Sequence, residues 1–259
     1  MATPNHTSLA AELWNARELN TVVHSDKHPT SLKAAYELQD AVTQASNQKI
    51  LGYKLGATTE AALKLLSLSG PFAGPLLGDY CHKNGHTASV QIENNPGVEA
   101  EFVLGVSKDI PTIKNLSEAD VAEAVEWIAG GFEIVAARIS NMPNARGLCT
   151  IGDGAGNHSV ITGEPNHQWR ELDLTALPVK LSVNGEVSVN GTSGDSLQGS
   201  PLAMLTWFAN SDLVPPRGIK AGDIIYCGTC TGLTPIKPGD TLTADYGVLG
   251  QMTMTIAPA

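Results

Sequence analysis

Two glutamates one residue apart, Glu99 and Glu101, sit in an otherwise apolar run from Val98 to Val106. Side chains on a strand alternate between faces, so both carboxylates would share one surface and Val98, Ala100 and Phe102 the other. Buried together, two such charges repel by about 4 kcal/mol at a separation of about 4 Å and an effective dielectric of about 20. A divalent cation would remove that penalty. A strand with its polar face in water would hold the same pair at no cost, so the spacing alone admits both readings.

Three further ionisable residues bear on the choice. Glu133 heads the apolar run 132–139, where a carboxylate is costly to bury without a counter-ion. Arg138 lies five positions on, so a regular strand sends the two to opposite faces and leaves Glu133 as a candidate third carboxylate. Lys54 interrupts the glycine-flanked run Ile50–Gly56. A lysine there either snorkels outward or is kept for an ionic or proton-transfer role. Asp79 follows a glycine and reads on its own as a turn residue.

Other motifs imply less chemistry. The glycines of 152–158 resemble a phosphate loop but lack the Lys-Ser/Thr ending, which leaves close backbone packing around a site, or a turn, as their purpose. Cys227 and Cys230 form a C-x-x-C with no second such pair and no paired histidines for zinc, and no helix signal follows it. Free thiols with chance spacing explain them. His24 and His28 fall in a polar loop and read as solvent-exposed.

The elements that must position these residues can be outlined. Leu9, Leu13, Ala16 and Leu19 have helical spacing, and Ser31 caps a second helix running to about residue 49. A buried strand at 50–56, a helix at 58–67 and a stiff turn at 70–75 follow. The spacing of Val121, Val125 and Ile128 after a Ser117/Asp120 capping pair predicts a helix ended by Gly130-Gly131, and residues 132–139 then a strand. Residues 141–151 read as irregular. Asn184-Gly185 marks a hairpin between 178–183 and 186–189, and Ser200-Pro201 opens a helix over 202–210. Strands at 223–227, 241–245 and 252–256 complete an α+β pattern, with helices mostly early and hairpins late.

Composition narrows the function classes. The 259 residues carry 16 Lys and Arg against 26 Asp and Glu, a formal charge of −10, with no basic cluster, which argues against nucleic-acid partners. No apolar run reaches the roughly 20 residues of a membrane span, and nothing at the start reads as a signal peptide, so a cytoplasmic protein is expected.

Taken in order, Gly52-Tyr53-Lys54-Leu55-Gly56, Val98-Glu99-Ala100-Glu101, Glu133 to Arg138, Gly152-Asp153, Val183-Asn184-Gly185-Glu186 and Gly222-Asp223-Ile224-Ile225 resemble the fumarylacetoacetate hydrolase superfamily. More narrowly, the chain resembles its 2-keto-4-pentenoate hydratase and 4-oxalocrotonate decarboxylase branch. The resemblance implies a mixed β-roll or sandwich over 71–259 behind an N-terminal helical portion at 1–70. It implies Mg2+ or Mn2+ on Glu99, Glu101 and Glu133, oxygen ligands that suit such hard ions. It makes Lys54 and Asp79 catalytic, and Asp153 and Lys180 either substrate contacts or structural hydrogen-bonding residues. The implied activity is hydration of 2-hydroxydienoates from aromatic breakdown; the alternatives are 2-oxo-acid decarboxylation, acylpyruvate hydrolysis or a non-catalytic partner role. A homo-oligomer is implied, alone or with a paralogous pathway enzyme. Two departures stand out: Phe72 replaces the acidic residue of vinylpyruvate hydratases, and no histidine has the Glu three residues later that hydrolase members use.

Overall fold

The computed structural model describes residues 4–140 and 146–259. In chain order the first half holds α1 (Pro4–Glu18), β1 (Val23–His24), α2 (Leu32–Ser46), β2 (Ile50–Gly56), α3 (Glu60–Leu66) and β3 (Phe72–Leu77). It continues through β4 (Cys81–Lys83), β5 (Thr87–Val90), β6 (Gly97–Val106), α4 (Glu118–Ala122), β7 (Val125–Val135) and β8 (Ile139–Ser140). The second half holds α5 (Arg146–Gly152), β9 (Asn157–Thr162), β10 (Pro178–Val183), β11 (Glu186–Thr192) and α6 (Pro201–Asn210). It ends with β12 (Ile224–Thr229), β13 (Thr234–Pro235), β14 (Thr241–Asp245) and β15 (Gln251–Pro258).

Two large sheets form the body. One runs β3-β2-β12-β6-β7-β9-β4, with β13 also paired to β6; the other runs β11-β10-β14-β15-β5. Val98, Ala100, Phe102 and Leu104 of β6 and Phe132 and Ile134 of β7 pack in one core with Leu181, Leu242 and Met254 of the second sheet. Burying a side chain of this size contributes about 1.5–3 kcal/mol, so the two-residue period of β6 is strongly specified. That period leaves Glu99, Glu101 and Glu133 on the other face. The α+β mixture expected from the sequence is what the chain adopts, and no described helix is long and apolar enough to cross a membrane.

Several local expectations give way. The capping box at Ser117 and Asp120 is present, but α4 stops at Ala122, and Val125 onward is strand. Pairing with β6 overrides the helical spacing: Val125 lies opposite Val106, Trp127 opposite Gly105 and Ile128 opposite Leu104. A Cβ on Gly105 would fall 1.9 Å from the Trp127 indole, so the glycine makes room for that ring. Gly130 and Gly131, expected to end a helix, lie inside β7 beneath the rings of Tyr246 and Tyr226. The strand expected to reach 139 ends at Val135.

The turn expected at 70–75 is largely β3, an edge strand, where Pro75 costs no ladder bond needed by a further neighbour. Of the irregular stretch at 141–151, residues 146–151 begin α5, while 141–145 lie outside the described residues. Leu19 falls beyond α1 and is exposed, not part of its apolar side. The helix from Ser31 ends earlier than expected, at Ser46, with Asn47 in the left-handed conformation as its C-cap. Strand β2, inside the expected N-terminal helical portion, is hydrogen-bonded between β3 and β12.

Candidate metal centre

Antiparallel pairing of β6 and β7 sets Glu99 directly opposite Glu133, and Glu101 opposite Gly131. Side chains directly across a ladder stand about 4.5–5.5 Å apart at Cβ, so three acids two residues or one strand apart converge. One carboxylate oxygen from each of Glu99, Glu101 and Glu133 lies within 4.8 Å of the other two. Glu101 and Glu133 are fully buried; Glu99 is partly exposed.

Lys54 reaches the same place from β2. Its neighbour β12 lies between β2 and β6, with Tyr226 paired to Lys54 on one side and to Val103 on the other. The ammonium is buried, 3.1 Å from Glu133 Oε2, and 5.2 Å from the centre of the Phe72 ring. Phe72 gains its position because Gly56, opposite it in the ladder, has no Cβ to strike the ring. The sequence left Lys54 between snorkelling and an ionic role; the structure places it in an ion pair.

The donor set is short of hydrogen-bond donors. Glu101 Oε2 accepts a 2.7 Å bond from the Gly228 amide, and Glu133 Oε1 a 2.9 Å bond from Asn157 Nδ2. Glu101 Oε1 and Glu133 Oε2 are buried and accept no hydrogen bond from any described residue; the latter has only its ion-pair contact with Lys54. Such oxygens are expensive unless paired. Burial first, and then the Glu133 charge, push the Glu99 carboxyl up to about 7 against the pull of Lys54. The same causes in the same order, with Glu99 added, raise Glu101 well above the usual range. For Lys54, burial alone would favour loss of the proton, but the combined charges of Glu133, Glu99 and Glu101 outweigh it and the pKa rises. Three carboxylates within reach of one another, two of them with a buried oxygen left without a hydrogen bond, fit a divalent cation such as Mg2+ or Mn2+.

Gly228 shows how closely this corner is built. It sits at the irregularity between Tyr226 and Thr229 that aims its amide at Glu101, with φ of +95°. A Cβ there would stand 2.1 Å from Thr58 Oγ1. Gly228→Ala is therefore expected to lower stability by at least about 1–3 kcal/mol, read from urea unfolding. The flanking Cys227 and Cys230 are buried free thiols.

A cavity of about 1410 Å³ adjoins the cluster, lined by Lys54, Glu99, Phe72, Asp153 and Thr229 and by apolar side chains such as Leu66 and Leu148. Asp153 reaches this wall, but both of its oxygens serve Arg138: Oδ1 accepts from Nε at 2.7 Å and Oδ2 from the backbone amide at 2.9 Å. Both carboxylate oxygens are thus engaged within the protein. Arg138, beyond the end of β7, pairs with Asp153 and not with Glu133.

Two expected site residues are not brought to the cluster. Asp79 is exposed in a 3₁₀ turn, where it exchanges hydrogen bonds of 2.9 and 3.0 Å with the Gln48 amide group, and it does not line the cavity. Lys180 is exposed on β10, in the five-stranded sheet, and is likewise absent from the cavity wall. Conversely, Asn157 and Arg17 were not singled out from the sequence. Asn157 stood within the glycine-rich stretch read as packing around a site; nothing local marked Arg17.

Known proteins resemble this chain in sequence and in structure. A hydratase from Pseudomonas putida, the TodF product hydratase, is 28% identical over 233 residues, 89% of this chain and 86% of that protein. The 2-hydroxyhexa-2,4-dienoate hydratase of Comamonas testosteroni is 28% identical over 222 residues, 83% of each. Among solved structures, 4-oxalocrotonate decarboxylase from Pseudomonas putida G7, complexed with magnesium and adipate, superposes with a TM-score of 0.83 at 25% identity over 97% of both chains. The fumarylacetoacetate (FAA) hydrolase C-terminal family matches residues 81–257, a span that contains all three clustered glutamates, and the chain belongs to that family.

Proposed function

We propose that this chain is a metal-dependent lyase for small 2-oxo and 2-hydroxydienoic acids, foremost a hydratase of the 2-keto-4-pentenoate kind. The observation that carries this reading is the convergence of Glu99, Glu101 and Glu133 within 4.8 Å, beside a buried ammonium and on the edge of a cavity. The two hydratases above, alike over most of the chain, support the reaction class.

Bound at the three carboxylates, Mg2+ or Mn2+ would supply Lewis acidity that polarises the 2-oxo group of the substrate. The protein's own groups do the remainder. Three carboxylates and a divalent cation sum to −1, and the Lys54 ammonium brings the pocket to neutral before an anionic acid enters. Lys54, whose ammonium stands 3.1 Å from Glu133, is placed to give a proton during ketonisation of the dienol and to take one back. Water then adds at C4 of the enone so formed. Phe72 packs an apolar ring beside the ammonium where hydratases of this branch carry an acid, so here Lys54 has no second carboxylate from that position.

The test is direct: protein, Mg2+ and 2-hydroxypentadienoate are mixed and the dienol absorbance is followed. Its loss, dependent on metal, is the expected outcome; an unchanged trace with metal present would remove the hydratase assignment. Decarboxylation is the second reading, favoured by the near-complete superposition on 4-oxalocrotonate decarboxylase. Release of CO2 from 4-oxalocrotonate in place of hydration would select it. The same family resemblance supports a homo-oligomer, which sedimentation velocity would reveal.

A further inference from the structure

Glu133 is held at both ends. Oε2 faces Lys54 at 3.1 Å, and Oε1 accepts from Asn157 Nδ2 at 2.9 Å. Asn157 heads β9 and is fully buried. The β7–β9 ladder pairs Ile134 with Ser159 but Val135 with Asn157, so one residue, His158, is passed over at a bulge. Without that extra residue His158 would oppose Val135; with it, Asn157 stands on the face of β7 that Glu133 shares.

An amide side chain can face either way, and here the surroundings decide. Arg17 of α1 forks onto Asn157, giving Nη1 to the backbone carbonyl at 2.8 Å and Nη2 to Oδ1 at 3.0 Å. A guanidinium only donates, so the amide oxygen must face Arg17 and the NH2 must face Glu133. The reversed amide would set NH2 against a cation and C=O against a carboxylate. Arg138 Nη2 adds a 2.9 Å bond to the same Asn157 carbonyl, and Arg138 is itself anchored on Asp153. The buried chain therefore runs from two arginines through one asparagine to one glutamate.

We propose that Asn157 is a positioning residue for Glu133 as a metal ligand, its amide oriented by Arg17 from the N-terminal helix. This rests on the reading of the three glutamates as a cation site. Each oxygen of Glu133 keeps a free lone pair, while the Asn157 bond fixes the rotation of the carboxylate that Lys54, on a flexible four-carbon stem, cannot fix alone. Hydrogen-bonded supports of this kind typically carry about 10–100-fold in metal affinity.

The experiment is Mn2+ titration of the substrate-free protein, with free Mn2+ read by electron paramagnetic resonance, for wild type and Asn157→Ala, alongside the Tm of each without metal. Asn157→Ala is expected to bind Mn2+ about 10–100-fold more weakly while folded. A lowered Tm with unchanged Mn2+ affinity would mean a structural role only and would overturn the proposal. Wild-type protein that binds no Mn2+ would overturn the cation reading and this inference together, which separates the two failures. If Asn157→Ala does not fold, Arg17→Lys reads the same chain one link out: it keeps the charge but has no fork to hold carbonyl and amide together. Weaker Mn2+ binding is expected, and unaltered binding would overturn the proposal.

Discussion

Lys54→Met is expected to lower kcat for hydration of 2-hydroxypentadienoate by about 10²–10⁴-fold, the usual worth of a positioned acid or base, with a smaller change in KM. Methionine fills similar space beside Phe72 but carries neither charge nor proton. The same substitution leaves three carboxylates with no cation among them, and removing one partner of a buried ion pair costs about 3–5 kcal/mol. The metal-free variant should therefore melt early and regain its Tm when Mg2+ is added. Lys54→Arg separates the two roles, because a guanidinium keeps the charge yet does not release a proton near neutral pH. It should fold without metal and remain slow. Turnover at the wild-type rate in either variant would remove Lys54 from the chemistry.

The second large effect is a reversal of the pH dependence of stability by a cation. Burial, and then the Glu133 charge, lift the Glu99 carboxyl from 4.5 to about 7, so the folded state holds this proton more tightly than the unfolded chain does. The stability it contributes is complete below about pH 4.5 and is lost as pH rises through about 7; Glu101 acts in the same direction. Metal-free protein should therefore melt at a lower temperature at about pH 8 than at about pH 5. Ligation needs ionised carboxylates, so Mn2+ should stabilise most at the higher pH, by about 2.7 kcal/mol when it is about 100-fold above its Kd. Glu101→Gln removes one of the repelling charges and one ligand. Without metal at high pH it should be more stable than wild type, and it should gain far less from Mn2+. Calorimetric scans at two pH values, with and without the ion, check this, and a wild-type Tm indifferent to Mn2+ at the higher pH would refute it.

The parts of the site set by parity along a strand were legible in the sequence. Glu99 and Glu101 share a face because Val98, Ala100 and Phe102 are needed in the core; the parity argued for Glu133 and Arg138 does not reach Arg138, since β7 ends at Val135 and Arg138 turns to Asp153. Lys54 was marked by a charge inside an apolar run. What escaped depended on contacts far apart in sequence. The spacing of Val121, Val125 and Ile128 suits a helix, yet the ten-residue strand β6 offers Val125 and Ile128 a ladder, and Gly105 accommodates Trp127. Asp79 matched a family position and Lys180 was read as a substrate contact or a structural residue, but both side chains are exposed away from the cavity. The Arg17–Asn157 contact spans 140 positions and no local pattern announces it.

The three acids reside on two strands that neighbour each other in the ladder, whereas their ammonium partner arrives from β2, across β12, a strand drawn from the far end of the polypeptide. Pairings that close long stretches of chain come at a greater entropic cost than nearer ones. During assembly β6 and β7 can thus gather their negative charges before lysine is there to offset them. The ammonium can stand against Glu133 only where β12 has paired with both β2 and β6, so the charge balance of the cluster depends on closure of the whole sheet.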